Sequence, residues 1–130
     1  MTTTTFNPEL IRQSVARYFE ATRSGDARQW AERFAEDAIF EDPVGTTPVN
    51  EPAKILEFGN KFMSGFKTVG LHEEFVHVVA NEAAARWTGK GTTKEGKQIT
   101  FEGINIFKFN DEGQIVNLKG YWSPDNMVEQ

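Results

Sequence analysis

The chain has no cysteine, which excludes disulfides, thiolate metal sites and a cysteine nucleophile. Histidine is almost as scarce. His72 and His77 stand five apart on a predicted strand and are expected on opposite faces, so a shared metal is not expected. No zinc, phosphate-loop or G-x-S-x-G signature is present, and "GKGTTKEGK" reads as a hairpin turn; no metal or cofactor is predicted. Positive charge is also short: 14 Lys and Arg against 19 Asp and Glu leave a net charge of −5 with no basic patch, which argues against nucleic acid as a partner. No apolar run approaches the roughly 20 residues of a membrane span. The opening "MTTTTFNPEL" has neither a basic nor an apolar segment of a secretory signal, so a soluble, cytoplasmic protein is expected. Repeats and linkers are missing too, and residues 1–130 are read as a single domain.

What the chain does have is aromatic bulk: eleven Phe and three Trp in 130 residues. Rings of this size build either a dense core or the walls of an apolar pocket. The Thr2–Thr5 run reads as a frayed end. Asn7, Pro8 and Glu9 then form a helix start: a side-chain cap, a preset φ and an acid at the positive dipole end. Ile11, Val15, Tyr18, Phe19 and Thr22 recur at helical spacing until "RSGD" stops the pattern. Asp26 is expected to cap a second helix bearing Ala27, Trp30, Ala31 and Phe34, and a short strand is expected from Ala38 to Asp42. Asn50 and Pro52 repeat the helix-start signature ahead of a stripe of Ile55, Leu56, Phe58, Phe62 and Met63, ended by Gly65. The period then becomes two. "HEEFVHVVA", "AAARWTGKG", "QITFEGINIFKFN" and "QIVNLKGYWS" read as strands. Helices followed by consecutive strands define an α+β domain, with about three helices packed on a mostly antiparallel sheet.

Two polar residues fall where the pattern calls for apolar ones. Asn105 shares a strand face with Ile99, Phe101, Phe107 and Phe109, and a buried amide needs a hydrogen-bond partner or a ligand. Tyr18 lies on the buried stripe of the first helix. A third group, Asp42, ends an apolar strand at "AIFEDP", where Pro43 keeps it extended. Trp122 reads as core or pocket wall.

The segments "ARYFEATRSGD", "RFAEDAIFEDPVG" and "KFNDEGQIVNLKGYWS" together resemble the nuclear transport factor 2-like (SnoaL-like) superfamily, and within it the bacterial Δ5-3-ketosteroid isomerases. The resemblance runs from the first helix to Trp122. It implies a cone in which a curved sheet wraps the helices, an apolar pocket, and a homodimer formed across the sheet. The match implies that Asp42 is the general base for proton transfer beside a ketone. It also implies that Tyr18 donates to the dienolate oxygen and that Asn105 occupies the position of a second donor. That second donor is an Asp in this family, the standard example of a carboxylic acid kept protonated by an apolar site. Two supporting tyrosines of some isomerases are replaced by Phe34 and Gly59. Trp122, Phe40, Phe101, Phe107, Phe34 and Phe58 are expected to line the pocket, and the expected ligand is a small apolar carbonyl compound. Alternatives on the same fold are a cyclase, a lyase or hydrolase, or a non-catalytic domain that binds apolar ligands.

Overall fold

A computed structural model describes residues 6–130; the Thr2–Thr5 run lies outside them. Helix α1 spans Pro8–Thr22, capped by the Asn7 side chain, which accepts from the Leu10 amide at 3.2 Å. Its buried stripe includes Ile11, Val15, Tyr18, Phe19 and Thr22. Asp26 caps α2, Ala27–Ala31, by accepting from the amides of Arg28 and Gln29. This helix is shorter than its apolar spacing predicts, because Phe34 does not continue it. Phe34 opens strand β1, Phe34–Glu41, where the Ile115 amide bonds the Arg33 carbonyl at 3.0 Å. A register irregularity between Phe34 and Ile39 leaves Glu36 and Asp37 both exposed. Two successive outward side chains erase the period-two signal, which is why the strand looks shorter in sequence.

Helix α3 spans Pro52–Ser64. Its N-cap is Glu51, without a side-chain cap bond, and not Asn50 as the signature suggested. Four long strands follow: β2 Thr68–Val79, β3 Glu82–Thr92, β4 Gln98–Phe109 and β5 Ile115–Tyr121. The short β6, Val128–Glu129, pairs with β4. The sheet order is β1-β5-β4-β3-β2; β1 and β5 run parallel, and every other pairing is antiparallel.

On β4 the expected division of faces holds: Phe101, Asn105, Phe107 and Phe109 are buried, while Glu102, Ile104 and Lys108 face outward. On β2 it does not. A bulge between Glu73 and Phe75 sets His72 opposite Thr88 and His77 opposite Ala84, four positions apart on β3. The two histidines therefore share the outer face, a correction to the expectation of opposite faces. At roughly 3.3 Å per residue they remain about 13 Å apart. The core between the sheet and α1 and α2 is ring on ring: Tyr18 meets Phe107 edge-on at 5.0 Å, and Trp30 meets Phe34 at 4.9 Å.

Candidate functional site

Asp42 follows the last residue of β1. Glu41 pairs with Lys119 of β5, and the Val44 amide bonds the Gly120 carbonyl at 2.8 Å, so the chain on either side of Asp42 is held against β5. Its carboxylate lies flat on Gly120. A Cβ at that position would stand 2.6 Å from Oδ1 and 2.7 Å from Cγ, so no other residue leaves room for the acid. The Trp122 indole N–H donates to Oδ1. Burial pushes the Asp42 carboxyl up to about 6, and the Trp122 bond pulls in the opposite direction. A carboxylic acid with this pKa is ionised at neutral pH and still basic enough to accept a proton from carbon.

Tyr18 reaches the same place from α1. It is 2% exposed and boxed by Phe19, Phe34, Phe107 and Trp30. Burial, and after it the charge of Asp42, raises its hydroxyl well above the ordinary phenol value; the side chains of Trp30 and Asn105 pull it back. The phenol therefore stays protonated at physiological pH and acts as a hydrogen-bond donor.

Asn105 is 1% exposed. It pairs across the sheet with Gly120, the residue under Asp42. Its Oδ1 accepts from the Trp87 indole at 3.0 Å, and its Nδ2 has no hydrogen-bond partner. Such a group costs about 1–3 kcal/mol.

Asp42 and Tyr18 both border a cleft between α1, α3 and the sheet, whose empty volume is about 490 Å³. Its interior is narrow, with room for no more than a few water molecules. Of the side chains expected on its wall, Phe58, Phe101 and Trp122 are there. Phe34, Phe40 and Phe107 are not: they are 8%, 1% and 0% exposed and pack behind the cleft, against Trp30 and Tyr18. Asn105 likewise stands behind the lining.

Sequence reasoning missed three contributors. Trp122 is more than a wall, since it bonds the carboxylate. Gly120 makes the acid's seat, and Gly59 lets the Trp30 ring approach α3, because a Cβ there would lie 2.8 Å from Trp30 Cε3. The available signal was a glycine near the end of a strand and another inside a helix, each marking a close approach. Among the described residues no group of His, Asp and Glu is arranged to hold a metal, and no helix is long and apolar enough to cross a membrane. Arg86 points outward to Glu102, 3.5 Å away, and takes no part in the cleft.

A small α+β domain with a carboxylate and a phenol facing one aromatic cleft matches a known class. The family model of the SnoaL-like domain matches residues 15–118, and the chain belongs to that family. A steroid Delta-isomerase of Nocardioides simplex is 34% identical over 119 residues, covering 91% of this chain and 94% of that protein. Two solved structures share the nuclear transport factor 2-like fold. The epoxide hydrolase/cyclase-like enzyme SalBIII of pyran ring formation in salinomycin superposes with a TM-score of 0.84 at 20% identity, covering 94% of this chain and 97% of SalBIII. The Δ5-3-ketosteroid isomerase of Mycobacterium sp. superposes at 0.80 with 24% identity, covering 93% of this chain and 98% of that one.

Proposed function

We propose that the protein is a steroid Δ-isomerase-type enzyme that moves a proton within a β,γ-unsaturated ketone, with Asp42 as base and Tyr18 as donor to the carbonyl oxygen. One observation carries this reading: a single carboxylate, raised to about 6 by burial, borders the same aromatic cleft as a buried phenol. The curated relationship to a steroid Delta-isomerase at 34% identity supports it. In the proposed step Asp42 takes the proton from the carbon between the ketone and the double bond. Electrons shift onto the carbonyl oxygen, which the Tyr18 hydroxyl stabilises. Asp42 then returns the proton at the far end of the dienolate, giving the conjugated enone.

General-base catalysis of this kind contributes about 10² to 10⁴ in rate, and an oriented donor to the developing oxyanion contributes a comparable factor. The aromatic lining would exclude water and strengthen both interactions. Phe62 and Met63, half-buried on α3, line the narrow lumen. The cleft offers one carboxylate and no arginine, which fits proton transfer better than the paired acids and arginine of an epoxide-opening site. The reading extends to a homodimer formed through the outer sheet face, where Ile104 and Tyr121 are 45% and 47% exposed.

The test is incubation with a β,γ-unsaturated 3-ketosteroid while the conjugated enone is followed in the ultraviolet. Turnover that Asp42→Asn lowers by about 10² to 10⁴ is expected; turnover that Asp42→Asn leaves unchanged rules this reading out.

A further inference from the structure

Two indole N–H groups hold the polar side chains on the sheet side of the cleft. Trp122 donates to Asp42, and Trp87 donates to Asn105 at 3.0 Å. Both rings line the cleft, and Phe101 packs against each, with centroids 5.6 Å from Trp87 and 5.7 Å from Trp122. The sheet-side wall is therefore one aromatic unit that carries a hydrogen bond at either end. Three large rings on neighbouring strands need compensating space beneath them.

That space is concentrated at Gly103, in the middle of β4. Gly103 pairs directly with Trp87 across the β3–β4 ladder. On its other side Ile104 pairs with Tyr121, which brings Trp122, just beyond the end of β5, level with Gly103. A Cβ at this position would stand 2.6 Å from Trp87 Cζ2, 2.8 Å from Trp122 Cβ and 2.8 Å from the Tyr121 carbonyl oxygen. Two of these three neighbours are not the ends of flexible side chains. They give way only if the chain at Tyr121 and Trp122 moves. The backbone conformation does not ask for glycine here, since Gly103 is not among the glycines with positive φ. A glycine inside a strand also weakens it, so the space itself is the reason that remains.

We propose that Gly103 is a positioning residue for both polar groups: by leaving room for two indoles side by side, it sets the Trp122 N–H on the Asp42 carboxylate and the Trp87 N–H on the Asn105 amide oxygen. The consequence for turnover rests on the isomerase reading above; the consequence for the two hydrogen bonds does not. A hydrogen bond weakens steeply once its distance and angle leave a narrow range, so a displaced Trp122 backbone loosens its grip on the acid. The Trp122 bond favours the ionised carboxylate, and its loss leaves Asp42 holding its proton to higher pH. Gly89 makes similar room on β3, but there the three nearest atoms all belong to the Phe101 ring. Gly103 is the glycine that meets both donors.

Gly103→Ala tests this, with Gly59→Ala as its control. Each adds one methyl group against a tryptophan ring, but a Cβ at Gly59 crowds Trp30 and Ala27 instead. In protein labelled with ¹⁵N at its indoles, Trp87→Phe and Trp122→Phe assign the two signals by their loss. In Gly103→Ala both indole protons are expected to move upfield. The Asp42 carboxyl midpoint, followed by ¹³C NMR, is expected to rise by roughly one unit, as in Trp122→Phe. Gly59→Ala is expected to leave that midpoint in place. Added to Trp122→Phe, Gly103→Ala is expected to raise it no further, because the bond it acts through is already gone. Unmoved indole signals or an unmoved midpoint in Gly103→Ala, or a second rise on top of Trp122→Phe, overturns the proposal. Should Gly103→Ala not fold alone, its combination with Trp87→Phe relieves the nearest contact and leaves the Trp122 contact to act on Asp42. Failure of that pair to fold would make Gly103 a packing residue only, and also overturns the proposal. With a β,γ-unsaturated 3-ketosteroid, the acidic limb of kcat/KM is expected to follow the carboxyl midpoint upward in Gly103→Ala. Absence of turnover in the unmodified protein would refute the isomerase reading, while the indole signals and the titration would still decide the role of Gly103.

Discussion

The two ends of the cleft are built to different degrees of completion. At the Asp42 end every part is held: β1 is paired to β5, Gly120 leaves room for the carboxylate, and the Trp122 indole is spent on Oδ1. At the Tyr18 end the rings are packed as tightly, yet the Asn105 Nδ2 has no hydrogen-bond partner. A settled base beside an unsettled donor is the asymmetry expected where charge is present on the acid before reaction and develops on the oxygen only during it.

The largest effect that separates the two ends should come from the base. Asp42→Asn keeps the shape and removes the proton acceptor, and turnover of a β,γ-unsaturated 3-ketosteroid is expected to fall by about 10² to 10⁴. Tyr18→Phe is expected to cost less, because it removes one donor and no covalent step. A larger loss from Tyr18→Phe than from Asp42→Asn would reverse the comparison. Gly120→Ala attacks the seat of the acid. Its Cβ would stand 2.6 Å from Asp42 Oδ1, and a loss of about 1–3 kcal/mol in urea unfolding is expected together with displacement of the carboxylate. An unchanged midpoint would show that the acid is not confined there.

The remaining predictions concern charge. The acidic limb of kcat/KM should have its midpoint at about 6, and Trp122→Phe, which removes the bond favouring the ionised acid, should move that limb upward by roughly one unit. Stability offers a check with no substrate. The folded Asp42 pKa of about 6 lies above its ordinary value of 3.8. Folded protein therefore holds the proton through a range in which unfolded protein has lost it. Its contribution is fully present below 3.8 and declines as pH rises to about 6. Asp42→Asn should accordingly be the more stable protein at pH 8, by about 1–3 kcal/mol, with the difference vanishing near pH 4. Equal stability at pH 8 would mean that the carboxylate is solvated.

Much of this architecture was legible in the residues. The caps at Asn7 and Asp26 are where composition put them, because a cap is a local bargain between a side chain and the next two or three amides. The inner face of β4, including the anomalous Asn105, follows from period two alone. The failures are equally physical. Phe40 and Phe107 lie on inner faces, as alternation requires, but whether an inner residue meets a helix or an open cleft depends on how α1, α2 and α3 sit over the sheet. Alternation carries no information about that. The Trp122 bond to Asp42 joins residues 80 apart in the chain, with no spacing to betray it. The bulge between Glu73 and Phe75 moved His77 to the face of His72 by one inserted residue. Most local signals survive translation into structure, the Asn50 cap being the exception; those decided by the packing of one layer on another do not.

The central claim is that a single buried carboxylate is poised between its two charge states near neutral pH. The most direct test is a titration of the Asp42 side-chain carboxyl carbon by ¹³C NMR, with the signal assigned by its disappearance in Asp42→Asn. The account predicts a midpoint at about 6. A midpoint near the ordinary value of 3.8 would place the acid in water and contradict it.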